Sequence, residues 1–279
     1  MPFLRLDIPY SVILSSRKKD KLEQVASKCK GQTNAITQVS IVLYDASDPG
    51  ATDATVDSAI AFTGGNIDIL ILNAGVYQTL PAMETPKETR DFITRVNYQA
   101  PVDLAHSLID KGRWKERGYG QIVVVASVMA HGPHSLSSAY AASKASLKNY
   151  FHTLSTEEHP WLRIDVACPG ATATSMWENV PGGNGSTTYT GEQMTPDRVA
   201  HLILMGLTGP YWLFYETWIS KIDGLLWIFM AQYTPTMFHA SVHLVGYVRK
   251  AVFEHENLDV VDMGVLGQKL LLLLLGKYP

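Results

Sequence analysis

Gln121-Ile-Val-Val-Val-Ala-Ser127 and, after a loop, Ser138-Ala-Tyr-Ala-Ala-Ser-Lys144 decide how this chain is read. A run of Val and Ile bounded by Gly120 and by the loop Met129–Leu136 predicts a fully buried strand, as in a parallel sheet. Ser127 then emerges at the C-terminal end of that strand, where open α/β sheets bind their ligands. The Ala- and Ser-rich segment that follows has no proline and predicts a helix. Its spacing puts Tyr140 and Lys144 on one face, about a turn apart. A free phenol titrates near ~10, and a neighbouring ammonium favours the phenolate, so the pair is expected to act as an acid/base group near neutral pH. A hydroxyl at Ser127 would hold a carbonyl oxygen. Tyr-x-x-x-Lys alone also occurs as an ordinary helix pair, so it is the conjunction with a strand-end hydroxyl that points to an active site.

With Asn73-Ala-Gly75 upstream and Pro169-Gly170 downstream, the order and spacing of these motifs resembles the short-chain dehydrogenase/reductase family over residues 11–219. The resemblance implies an α/β fold, a Rossmann-type doubly wound parallel sheet, that moves hydride between a nicotinamide cofactor and a carbonyl or alcohol. It also implies roles. Tyr140 would be the proton donor or acceptor, Lys144 would bind the nicotinamide ribose and lower the tyrosine pKa, and Ser127 would polarise the substrate oxygen. Asn97, polar within the apolar stripe Phe92, Ile93, Val96, Ala100, Leu104 and Ala105, resembles the asparagine that links that lysine to solvent. An isolated helical asparagine is otherwise an ordinary structural residue.

On the cofactor side, the resemblance places Asn73, Ala74 and Gly75 beneath the adenine ribose and Asp45 at the adenine. Pro169, Gly170, Thr172 and Thr174 would close over the nicotinamide. Arg17 stands just past the strand Ser11–Ser16, where family members that prefer NADP carry a basic residue, so NADP(H) is expected over NAD(H). A solvated arginine at a helix start is the alternative reading. The family's Thr-Gly-x-x-x-Gly-x-Gly loop does not occur in these 279 residues. Pyrophosphate is held by backbone N–H groups at a helix N-terminus. The chain as written is therefore expected to bind the cofactor weakly or not at all, unless Pro2–Ile8 fills the vacated strand position. An alternative follows: a non-catalytic or truncated member of the family.

Composition narrows the partners. A chain of 279 residues that is 46% hydrophobic supports one large core. The expected division is a Rossmann-type domain over 1–220, lacking the usual first strand, and a hydrophobic extension over 221–279 packed on it. A net charge of −3, with Arg17-Lys-Lys19 as the densest basic run, argues against nucleic acid. Cys29 and Cys168 have no metal spacing, so no metal is expected, and thiols in a reducing compartment are. Arg5, Asp7 and Pro9 interrupt the apolar start, which argues against a signal peptide, and Leu270–Leu275 is too short to span a bilayer at about 20 residues per crossing.

The aromatic segments Gly224–Ala231 and Phe238–Val248 resemble the C-terminal extension of the membrane-associated subgroup named SDR family member 7. This suggests peripheral membrane contact, and a cytoplasmic location or the cytosolic face of the endoplasmic reticulum; core or oligomer helices are the alternative. The loop Trp177–Gln193 contains Pro181-Gly-Gly-Asn-Gly185 and reads as a substrate lid with no basic residue. A hydrophobic substrate such as a retinoid, steroid or xenobiotic carbonyl is expected, and a phosphorylated one is not. The family's homodimer would form here through Lys87–Lys111 and Ser138–His159.

Overall fold

Strands separated by helical crossovers pair in parallel, because a parallel neighbour can be reached only by passing over the sheet face. The computed structural model describes residues 9–30, 36–157, 159–176, 193–208 and 216–219. In chain order the elements are β1 (Tyr10–Ser16), α1 (Lys19–Lys30), β2 (Ile36–Leu43), α2 (Ala51–Thr63) and β3 (Ile69–Leu72), then α3 (Lys87–Thr94), a π turn (Arg95–Gln99), α4 (Ala100–Lys111) and α5 (Trp114–Arg117). β4 (Gly120–Val125), α6 (Ser138–Ser155), β5 (Leu162–Pro169), α7 (Pro196–Thr208) and β6 (Glu216–Ile219) complete them. Every pairing is parallel. The doubly wound α/β expectation is met, and β4 falls on the Val/Ile run with every residue buried.

Among the described residues the sheet is divided. β1 and β2 form one ladder, and β3-β4-β5-β6 form another. Helix α2 packs against β2 and α4 and bridges the two, with Lys111 reaching Asp57 at 2.7 Å and Ser107 reaching Asp53 at 2.7 Å. β3 pairs along one edge with β4, and Ile71 within it is 50% exposed.

The core lies over β4 and β5, where Ile122, Val124, Ile164 and Cys168 meet Leu108, Trp114, Leu147 and Phe151 from α4, α5 and α6. Trp114 lies against the start of β4 and donates from Nε1 to Ile67 O at 2.7 Å. A Cβ on Gly120 would stand 2.1 Å from the Trp114 ring, so only glycine lets strand and indole approach this closely. Asp165 is buried but paired: Gln121 Nε2 donates to it at 2.7 Å and the Arg163 guanidinium forks onto it.

The apolar stripe predicted from Lys87 to Leu108 is helical throughout, but it is not one α-helix. The π turn Arg95–Gln99 interrupts it and carries Asn97. Among the described residues no helix is long and apolar enough to cross a membrane. The lid over 177–192, the extension over 221–279 and Pro2–Ile8 lie outside the described residues.

Candidate active site

Three strand ends and one helix build the site. Ser127 follows β4 in extended conformation and caps a 3₁₀ turn, its Oγ accepting the Met129 N–H at 3.2 Å. That bond fixes the hydroxyl at the strand end. Tyr140 stands in the first turn of α6, buried, with its phenol facing the Ser127 side chain. Burial pushes the phenol up to about 12, and the Ser127 hydroxyl opposes that shift.

Lys144 is one turn further along α6 and also buried. Its Nζ donates to Val125 O, near the end of β4, at 2.8 Å, and burial lowers its pKa to about 8. Here the structure differs from the sequence-based expectation. The amine faces the strand carbonyl, and desolvation dominates, so the phenol is raised where a neighbouring ammonium was expected to lower it.

Asn97 is fully buried and addresses both sides of one peptide: Oδ1 accepts Val76 N–H at 2.8 Å while Nδ2 donates to Val76 O at 2.9 Å. Nδ2 also donates to Ser143 Oγ at 3.0 Å, and Ser143 donates to Tyr140 O at 2.8 Å. A π turn widens the helix locally, a distortion frequent at functional sites, and here it carries this carboxamide. A Cβ on Gly75 would lie 3.4 Å from both Asn97 Oδ1 and Lys144 Nζ. The structure thus brings Ser127, Tyr140, Lys144, Asn97 and Gly75 together.

The remaining predicted residues occupy the same C-terminal edge of the strands. Arg17 is exposed just past β1, and its charge reaches Asp45, just past β2. Asp45 is held below its ordinary value chiefly by hydrogen bonds from Ser47, at 2.7 Å from the hydroxyl and 2.9 Å from the N–H. Asn73 and Ala74 are exposed after β3. Past β5, Pro169 and Gly170 lead to Thr172, whose hydroxyl donates to Gly170 O at 3.1 Å and whose backbone bridges to Met194; Thr174 Oγ1 accepts Met176 N–H at 3.4 Å. These groups fit the adenine and nicotinamide ends of a dinucleotide, and the bare Gly75 face over Lys144 suits a ribose. Among the described residues no glycine-lined turn opens a helix for the pyrophosphate, and none form a metal-binding cluster.

Tyr77, Gln78 and Ser137 were not anticipated. Tyr77 Oη and Ser137 Oγ are 2.5 Å apart, Gln78 Oε1 accepts Tyr140 N–H at 3.0 Å, and the Tyr77 and Tyr140 rings meet edge to face at 4.8 Å. No periodicity links a loop after β3 to a helix this distant in sequence. The one available signal was a pair of large polar residues, Tyr77-Gln78, one residue past Asn73-Ala-Gly75.

Comparison with known proteins gives one answer. The family profile of short chain dehydrogenases matches residues 7–184. The chain is 31% identical over 234 residues to human dehydrogenase/reductase SDR family member 7, an alignment that takes in 81% of this chain and 67% of that protein. It is 27% identical over 236 residues to dehydrogenase/reductase SDR family member 7B of Xenopus tropicalis, covering 81% and 74%. In fold it is similar to a short-chain dehydrogenase from Streptomyces avermitilis, with a TM-score of 0.66, 20% identity and 88% of each chain covered. It is likewise similar to an alcohol dehydrogenase from Thermococcus sibiricus complexed with 5-hydroxy-NADP, with a TM-score of 0.63, 19% identity and 76% and 85% covered. The Ser127–Tyr140–Lys144–Asn97 cluster, the parallel α/β fold and these similarities agree: the chain belongs to the short chain dehydrogenase family of oxidoreductases.

Proposed function

We propose that the protein transfers hydride between NADP(H) and a hydrophobic carbonyl or alcohol, with Tyr140 exchanging the proton at the substrate oxygen. The observation that carries this reading is the buried Tyr140 phenol facing Ser127 at the end of β4. A phenol held protonated at neutral pH is poised as an acid, and the Ser127 hydroxyl is placed to bind a carbonyl oxygen and then the developing alkoxide. When bound, the nicotinamide supplies or accepts the hydride. Lys144 and Asn97 form the buried polar path behind Tyr140, with Lys144 close enough to losing its proton to exchange one.

Met129 and Met176, packed on the Tyr77–Tyr140 pair, favour an apolar substrate of the retinoid, steroid or xenobiotic kind. Arg17 beside Asp45, and solved structures of similar fold in complex with NADP or its derivative, favour NADP(H) over NAD(H). A groove between α4 and α6 lined by Tyr98, His106, Asn149 and Tyr150 favours a homodimer through these helices. Peripheral contact with the cytosolic face of an internal membrane, through 221–279, belongs to the same reading.

Tyr140→Phe should lower carbonyl reduction about 10²–10⁴-fold, the usual contribution of a positioned acid, while leaving the melting temperature and NADPH affinity nearly unchanged. Following loss of reduced-nicotinamide absorbance with an aryl ketone checks this, and wild-type activity in the variant would remove Tyr140 as the acid.

The divided sheet favours a second reading, a family member that holds its cofactor poorly. Isothermal titration of the 279-residue chain with NADPH decides between the two. Tight binding would uphold hydride transfer and point to a substitute phosphate site, and weak or absent binding would uphold the second reading.

A further inference from the structure

The first turn of α6, which carries Tyr140, is not capped by its own residue. Ser137 occupies the N-cap, where a serine ordinarily accepts a backbone N–H of the first turn, yet its side chain caps none. Its hydroxyl is engaged by Tyr77 Oη at 2.5 Å instead. The N–H of Tyr140, three residues past the cap, goes to Gln78 Oε1 at 3.0 Å. Leu80 N–H donates to Leu136 O at 2.9 Å, and the Tyr77 ring stands edge to face with Tyr140 at 4.8 Å. The capping of the helix has been handed to the loop after β3, whose other end Asn97 grips at Val76.

Stability alone does not explain this exchange. A self-capping Ser137 would satisfy the Tyr140 N–H without help. The arrangement present leaves Gln78 Nε2 and Thr79 Oγ1 buried without hydrogen-bond partners, and each such group costs about 1–3 kcal/mol. What the exchange provides is a second point of attachment for one residue. Tyr140 is held at its backbone by Gln78 and at its ring by Tyr77, with its hydroxyl facing Ser127.

We propose that Tyr77 and Gln78 are positioning residues for Tyr140, fixing the rotation of the first turn of α6 so that the phenol stays on Ser127. The inference rests on Tyr140 being the proton donor. Its test reads geometry and turnover separately. Tyr77→Phe keeps the ring and loses the bond to Ser137, and Ser137→Ala loses the same bond from the other side. In the full chain with ¹³C-labelled tyrosine, the Tyr140 signal is assigned by its absence in Tyr140→Phe.

Each single variant should move that signal and lower kcat about tenfold with an aryl ketone, with KM for NADPH unchanged; a displacement of this kind costs up to about 10²-fold. The double variant should be no worse than either single one, because both remove one shared bond. Ser137→Thr, which keeps the hydroxyl, should restore both readouts, and Gln78→Leu should speed exchange of the Tyr140 amide proton. An unmoved Tyr140 signal, losses that add in the double variant, or a lowered melting temperature with kcat and signal intact would each overturn the proposal. Should the wild-type chain show no turnover, a Tyr140 signal displaced by Tyr77→Phe upholds the positioning and removes the hydride-transfer reading.

Discussion

The two ladders of the sheet are built to different standards. Every residue of β4 is buried, and on its two sides β3 and β5 are both in register with it. In β1 no residue is fully buried, and in β2 only Val42 is, while Leu43 stands 55% exposed. Tyr140 and Lys144 hang from the first ladder, through Ser127, the Val125 carbonyl that receives Lys144, and α6. Of the residues compared with an adenine end, Arg17 and Asp45 follow the second ladder, while Asn73–Gly75 follow β3 in the first. The Ser127–Tyr140–Lys144 geometry is therefore secured by a close-packed core, whereas Arg17 and Asp45 depend on a pair of strands with much less apolar surface withdrawn from water.

Substitutions that spare one ladder and strike the other would break or sharpen this contrast. The largest effect is expected at Gly120, where an alanine Cβ would overlap the Trp114 ring. Gly120→Ala should cost about 3 kcal/mol or more, seen as a lowered urea midpoint. A loss below about 1 kcal/mol would mean that the buried ladder yields more easily than its packing implies.

A pH titration of stability probes the same ladder. The folded pKa of Lys144, about 8, lies below its ordinary 10.5, so the unfolded chain binds that proton more tightly. Stability is then lowest below about pH 8 and rises with pH towards 10.5, by at most about 1.4 kcal/mol per unit. Tyr140 runs the other way, because its folded pKa is raised to about 12: its contribution is full at neutral pH and is lost above about 10. Urea denaturation between pH 7.5 and 9.5 should show the rise in the wild type, and Lys144→Met should remove it.

On the weaker ladder, Arg17→Asp should reduce NADPH affinity by about 1.5–3 kcal/mol while affecting NADH far less, as expected for a lost hydrogen bond to a charged group. Equal losses for both cofactors would end the case for a 2′-phosphate contact. The smallest effect belongs to Leu43→Ser, within about 0.5 kcal/mol, since the side chain is already exposed.

Legibility in the sequence follows the same division. β4 and α6 could be read because an unbroken apolar run and a helical spacing are local signals that burial then enforces. Asn97 could be placed on a helix, but the π turn beneath it could not, since the Val76 peptide that its side chain grips lies on another segment across the fold. The phenol's direction of shift was misjudged for a related reason: spacing along α6 shows that Lys144 is near, whereas burial and the Val125 carbonyl determine what its amine does. Tyr77 and Ser137 were invisible because their bond joins segments that no pattern relates.

The π turn at Arg95–Gln99 has a further consequence. Such a turn holds one residue more than the α-helical path needs, so it amounts to a single-residue insertion absorbed without moving the helices on either side. Removing one residue there would let α3 and α4 join as a regular helix, with the core stripe of α4 still facing Trp114 and α6. The carboxamide of Asn97 would swing away from Val76. The chain would keep its fold and lose one of the ties between the loop after β3 and the helix that carries Tyr140, leaving the Tyr77–Ser137 and Gln78–Tyr140 bonds to hold the two together.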